Sequence, residues 1–201
     1  MRIGIDFDNT IAGYDGTFRK VALDMGLIPQ AFAGGKREIR DAIRQLDDGE
    51  LEWQRLQGQV YGKYMAKADM IEGVDRFLVA CRDRDKTVFV VSHKTAFGHH
   101  DPERINLREA ARAWMADRGF FDASGFAIEP ANVHFEATRA DKIARIADLR
   151  CTYFIDDLEE VFLDDSFPKG VRRILLGGAG AAAPVERFLS WDSIGEALFG
   201  A

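Results

Sequence analysis

A chain of 201 residues with 47% hydrophobic and 30% charged residues suits a soluble globular protein, built as one domain or as one core domain with a modest insertion. A formal net charge of −6 argues against nucleic acid as the main partner and against a patch for anionic membranes, while leaving room for a small anionic ligand at a locally basic site. The two cysteines, Cys81 and Cys151, lie in apolar stretches and form no Cys-x-x-Cys pair, so they read as reduced core thiols of a cytoplasmic protein. The opening residues show neither a basic leader nor an apolar signal run, and no stretch approaches membrane-spanning length.

The first segment, Arg2-Ile3-Gly4-Ile5-Asp6-Phe7-Asp8-Asn9-Thr10, alternates apolar Ile3, Ile5 and Phe7 with Gly4, Asp6 and Asp8. It predicts a strand whose C-terminal end carries two carboxylates on one face. Such a pair is repulsive and calls for compensation, most simply a bound cation or a shared proton. Asn9 and Thr10 follow as turn residues. The stretch from about Tyr14 to Asp69 reads as all helical. One helix is expected over Thr17–Met25, a second carries Ile39, Ile43 and Leu46, and a third carries the stripe Trp53, Leu56, Val60 and Tyr64. That stripe reads as core.

Val74, Phe77, Leu78 and Cys81 mark the next helix. The apolar, β-branched run Thr87–Val91 is expected to form a buried parallel strand ending at Ser92-His93-Lys94-Thr95. A hydroxyl directly after such a strand suits phosphate, because it and neighbouring backbone N–H groups can face an anion. A helix opens at Asn106 and Glu109, and a short strand is expected over Asn132–Phe135. Thr138 is the expected N-cap of a helix with Lys142 in its first turn, where a cation opposes the helix dipole and so hints at a role beyond the helix.

Cys151–Ile155 reads as a buried strand that runs into Asp156-Asp157-Leu158-Glu159-Glu160. Carboxylates again gather at a strand's C-terminal end, the ligand edge of an open parallel sheet, and hard oxygen donors without a nearby cysteine favour Mg²⁺. Arg172–Leu176 is expected as the last strand. Gly177–Ala183 reads as a flexible loop and not a dinucleotide motif, since no βαβ unit with a ribose-binding acid follows. The acidic pair Asp164-Asp165 reads as solvated loop, and Ser193–Phe199 as a closing helix.

Asp6-x-Asp8-x-Thr10 after a strand, Ser92 after a strand, Lys142 at a helix start and Asp156-Asp157 after a strand come in the order of the four motifs of the haloacid dehalogenase (HAD) superfamily, and the chain resembles its phosphatase branch. The resemblance implies an α/β fold with a Rossmann-like parallel sheet, a core domain over 1–13 and 70–201, and a small helical C1-type cap over 14–69. It implies a Mg²⁺-dependent phosphatase that works through an aspartyl-phosphate on a small phosphorylated metabolite. Asp6 is then the nucleophile and Asp8 the acid and base. Asn9, Thr10, Ser92, His93 and Lys142 hold phosphate. Mg²⁺ is held by Asp6, the backbone carbonyl of Asp8, and Asp156, with Asp157 acting directly or through water; either Asp157 or Glu160 completes the site. Asn9 stands where many members have glycine.

The presence of Asp8 argues against a dehalogenase, since a halide leaves without a proton. Tyr14, Lys94, His99 and His100, with Trp53, Gln57 and Tyr61, are candidate substrate contacts. A Mg²⁺-binding protein that keeps the fold without turnover, as a regulator or scaffold, is the alternative function. A zinc site from His93, His99, His100 and Asp101 is a further reading with no matching spacing. The sequence does not read out the substrate or the oligomeric state.

Overall fold

The computed structural model describes residues 1–101, 103–178 and 184–200. Its elements in chain order are β1 (Arg2–Ile5), β2 (Ala12–Gly13), α1 (Asp15–Asp24), α2 (Lys36–Ile43), α3 (Gly49–Tyr61), β3 (Asp69–Met70), α4 (Val74–Asp83), β4 (Thr87–His93), α5 (Leu107–Asp117), β5 (Val133–Glu136), α6 (Arg139–Asp148), β6 (Tyr153–Asp156), α7 (Glu159–Phe162), β7 (Arg172–Leu176), β8 (Val185–Phe188) and α8 (Trp191–Phe199). They fall into two compact units. The sheet unit comprises Met1–Ala12, Met70–Lys94 and Ala116–Ala201, and the helical unit Gly13–Asp69 and Thr95–Met115. Among the described residues no helix is long and apolar enough to cross a membrane.

The sheet unit is an α/β, Rossmann-like assembly around six parallel strands in the order β5-β4-β1-β6-β7-β8. Central strands of such a sheet are covered on both faces and need continuous apolar sequence. That is why Val88 to Val91 of β4 are all buried, as are Ile3 and Ile5 of β1. Phe89, Val91, Ile143, Ile146, Phe154 and Phe162 belong to one apolar cluster, which α6 and α7 join through their inward faces.

β8 corrects the expectation that Arg172–Leu176 is the last strand. Val185-Glu186-Arg187-Phe188 pairs in parallel with β7, and Glu186 forms an ion pair with Arg172. Half its residues are charged, as befits an edge strand, and that composition hid it in the sequence. Of the glycine- and alanine-rich stretch before it, residues 179–183 lie outside the described part.

Gly4 of β1 sits in register with Phe154 of β6. A Cβ built on it would stand 2.5 Å from Phe154 Cδ2 and 3.0 Å from Cys151 Sγ. Phe154 is fully buried and has no room to yield. Gly4→Ala is therefore expected to cost about 2–3 kcal/mol, read as a lower urea midpoint at unchanged m-value.

The helical unit is held by aromatic packing. Phe18 of α1 stacks on Trp53 of α3 at 5.3 Å between ring centroids, and Tyr61 meets Tyr14 edge-on at 4.9 Å. The sequence reading left 95–115 with the sheet, and the packing within the helical unit shows why it groups with the helices. Gly58 of α3 and Gly98 lie so close that a Cβ on Gly98 would be 2.7 Å from Gly58 Cα. Trp114 Nε1 also donates to the Ala68 carbonyl at 2.9 Å. Neither of these contacts leaves a periodic signal in sequence.

Candidate active site

In the sheet, β1 lies between β4 and β6, so the C-terminal ends of three neighbouring strands deliver their loops to one edge. Asp6 follows β1 and stays in the ladder through its N–H, which donates to the Ile155 carbonyl at 2.9 Å. The chain then turns tightly. The Phe7 carbonyl accepts from the N–H groups of Ile11 and Ala12, both at 3.0 Å, and Asn9 N–H donates to the Ala12 carbonyl at 2.8 Å. Asn9 adopts φ +58°, a left-handed conformation that asparagine tolerates better than most residues. Its N–H thus serves the turn. Thr10 is fully buried; its hydroxyl donates to Asp157 Oδ1 at 3.3 Å, and its carbonyl accepts from Trp191 Nε1 at 2.9 Å.

Lys142 comes from the first turn of α6, where Thr138 caps the helix by accepting from Asp141 N–H at 3.1 Å. The ammonium is buried and donates to Asp6 Oδ1 at 2.6 Å and to Asp156 Oδ2 at 2.7 Å. Two charge-assisted bonds at these distances outweigh a helix-dipole mismatch of at most ~1 kcal/mol. Burial disfavours the Lys142 cation, but Asp6 and Asp156 overcome that and hold the group above its ordinary value. The other oxygen of Asp156 accepts from Leu158 N–H at 3.0 Å. Burial, reinforced by Asp6, pushes Asp156 up to about 7 against the pull of Lys142, and the same two causes push Asp157 up to about 6.

Ser92, the penultimate residue of β4, is buried at the same strand end, in register with Phe135 of β5. His93 beside it is exposed. Lys94 is buried, and its ammonium lies 3.0 Å from Asp8 Oδ1 and 2.9 Å from Asp8 Oδ2. The sequence reading gave Lys94 to substrate and missed this pair. A single lysine just past a strand carries no local sign of its partner 86 residues away.

Asp6, Asp156 and Asp157 each offer an oxygen within 4.8 Å of the others, the one such cluster of acidic, histidine or cysteine groups among the described residues. The donors are hard oxygens, and three carboxylates share one buried ammonium. Both features fit Mg²⁺. Glu160 is not in that cluster; it is exposed and pairs with Arg139 at 3.0 Å. Asp101, from the zinc reading, instead accepts from Glu103 N–H and Ile105 N–H, both at 3.1 Å.

Tyr14, His99 and His100 belong to the helical unit. Tyr14 is buried, with its hydroxyl donating to Met65 Sδ at 3.5 Å, so it is a core residue there. His99 lines a cavity of about 130 Å³ with Gln54, Gln57 and Tyr61, and His100 lines another of about 380 Å³ with Arg55 and Gln59.

No family model and no curated protein matches the chain. Solved structures do. A HAD-superfamily hydrolase from Ehrlichia chaffeensis is 14% identical, with a TM-score of 0.55 over 97% of this chain and 94% of that one. A haloacid dehalogenase-like family hydrolase from Xanthomonas campestris is 11% identical, with a TM-score of 0.55 over 98% and 94%. A HAD-superfamily hydrolase of subfamily IA, variant 1, from Geobacter sulfurreducens is 15% identical, with a TM-score of 0.57 over 98% and 95%. With six parallel strands in the order described and these likenesses over nearly its whole length, the chain has the fold of the haloacid dehalogenase-superfamily hydrolases.

Proposed function

We propose that this protein is a Mg²⁺-dependent phosphomonoester hydrolase that acts on a small phosphorylated metabolite through an aspartyl-phosphate on Asp6. The observation that carries the reading is the placement of Asp6: a buried carboxylate at the sheet's ligand edge, held at 2.6 Å by the Lys142 ammonium, within a cluster of three carboxylates. A structural ion pair needs one partner for each charge. Here three carboxylates share the one ammonium of Lys142, as a site for a cation requires. The similar structures are named hydrolases, which supports the same class of reaction.

In this mechanism Asp6 attacks phosphorus in line with the departing oxygen. Lys142 fixes the attacking carboxylate and neutralises charge on the phosphoryl oxygens, and Ser92 donates to the same oxygens. Asp8 gives its proton to the leaving oxygen as the P–O bond breaks. It then takes a proton from the water that hydrolyses the aspartyl-phosphate, and so ends the cycle protonated again. Asp6, Asp156, Asp157 and the Asp8 carbonyl would hold Mg²⁺, which when bound offsets charge on the transferring group. Both cysteines are free, buried thiols, in keeping with a reducing cytoplasm.

The test is hydrolysis of aryl phosphates and of a panel of phosphorylated metabolites, each with Mg²⁺ and with chelator. Asp6→Asn keeps the size of the side chain and removes the nucleophile. Mg²⁺-dependent turnover that falls by about 10³-fold or more in Asp6→Asn is the expected result. Equal silence of both proteins across the panel would sink the reading in favour of a fold without turnover.

A further inference from the structure

The site contains two buried lysines, and they are sorted between the two carboxylates of the first motif. Lys142 takes Asp6 and Asp156, at 2.6 and 2.7 Å. Lys94 takes Asp8, through both carboxylate oxygens at 2.9 and 3.0 Å. Lys94 is itself anchored. Its N–H donates to the Glu136 carbonyl at 2.9 Å, continuing the β4–β5 ladder by one bond, and its ammonium lies 5.6 Å from the centre of the Phe7 ring. Phe7 in turn packs edge-on against Phe135 of β5, with ring centroids 5.7 Å apart. The Lys94 side chain is 3% exposed, while that of Asp8 is 22% exposed. The lysine therefore stands on the protein side of Asp8, and a face of the carboxyl group reaches solvent.

We propose that Lys94 is a positioning residue for Asp8, locking the carboxyl group in the orientation from which it delivers a proton to the leaving oxygen. This inference rests on the hydrolase reading above. The ammonium spans both oxygens of the Asp8 carboxyl group and so fixes its plane and the edge it turns outward. As the P–O bond breaks, its electron pair stays on the leaving oxygen and takes the proton that Asp8 delivers, and the attacking water later returns one to Asp8. A short aspartate without this clamp samples several rotamers, and misplacement of the proton by about 1 Å is enough to slow transfer about 100-fold.

A phosphoryl-gripping lysine and an acid-positioning lysine differ in one measurable way. Loss of proton delivery hurts a basic leaving group and spares an acidic one, whereas loss of a phosphoryl contact hurts both alike. The experiment compares kcat/KM for phenyl phosphate and dinitrophenyl phosphate in wild type, Lys94→Met, Asp8→Asn and the double variant. In Lys94→Met the phenyl ester is expected to slow about 100-fold and the dinitrophenyl ester less than about threefold, the pattern also expected of Asp8→Asn. The double variant is expected to be no slower than Asp8→Asn alone.

If Lys94→Met does not yield folded protein, Lys94→Gln is used; it keeps one donor but no charge and is expected to show the same selectivity between esters. Equal slowing of the two esters, or losses that multiply in the double variant, would overturn the proposal while leaving the hydrolase reading intact. A wild-type protein inactive on both esters and on the metabolite panel removes the reading and the inference together.

Discussion

Lys142→Met is expected to lower kcat/KM for any phosphoester substrate by about 10³-fold, with no rescue by added Mg²⁺. Methionine fills much of the same volume and removes only the charge and its two hydrogen bonds. Asp6 and Asp156, which the ammonium holds at 2.6 and 2.7 Å, then face each other without a cation between them. Breaking one side of such a buried network costs about 3–5 kcal/mol when the remaining charges cannot reach water. Here part of that penalty is avoided, because Asp156 already sits high enough, at about 7, to take up a proton near neutral pH. The expected loss of stability is therefore about 2 kcal/mol without Mg²⁺, measured by urea unfolding. Added Mg²⁺ is expected to raise the melting temperature of the variant at least as much as that of wild type, since a cluster with one positive charge fewer attracts a dication more strongly. Activity does not follow stability, because the lysine also fixes the direction of the Asp6 carboxylate. A Lys142→Met protein with wild-type turnover would show that the lysine is only a structural counter-ion.

Lys142 also shows how far the sequence could be read. A cation in the first turn of a helix is mildly unfavourable, and that small conflict was visible in one dimension; its resolution by Asp6 and Asp156 needed the fold. The strands that carry the chemistry were legible because buried parallel strands are continuous apolar runs and their polar ends are abrupt, as at Ile5–Asp6, Val91–Ser92 and Ile155–Asp156. β8 was not legible, because an edge strand carrying Glu186 and Arg187 has the composition of a loop. Lys94 was legible as a residue near the ligand edge but not as the partner of Asp8. Strand ends say which residues share an edge, and side-chain direction decides which of them touch. Grouping of Thr95–Met115 with the helices depends on close approach at Gly58 and Gly98, which no periodicity encodes.

With metal removed by chelator, the protein is expected to be more stable at pH 6 than at pH 8. Asp156 and Asp157 have an ordinary value of 3.8 and are pushed up to about 7 and about 6 in the folded protein, chiefly by burial and by Asp6. Between the unfolded and folded values the native state binds more protons than the unfolded chain, so stability falls as pH rises through that window. Each group is fully neutral, and its contribution fully present, below the unfolded value; the contribution is lost as pH passes about 6 for Asp157 and about 7 for Asp156.

The exposed carboxylates Glu50, Asp164 and Asp192 are held low by hydrogen bonds and so favour higher pH, but they act only below their ordinary values of 4.5 and 3.8 and leave the pH 6 to 8 window alone. Asp156 and Asp157 contribute a difference there on the order of 2 kcal/mol, or roughly 4–8 °C in melting temperature for a chain of this size. Mg²⁺ binds the ionised cluster, so at millimolar concentration it is expected to stabilise the protein more at pH 8 than at pH 6 and to flatten or reverse the trend. Calorimetry at pH 6, 7 and 8 with chelator or Mg²⁺ separates the cases. A melting temperature that rises with pH in chelator, or an equal Mg²⁺ effect at all three pH values, would mean that Asp156 and Asp157 are ionised throughout and that the excess negative charge of the cluster is balanced without a metal.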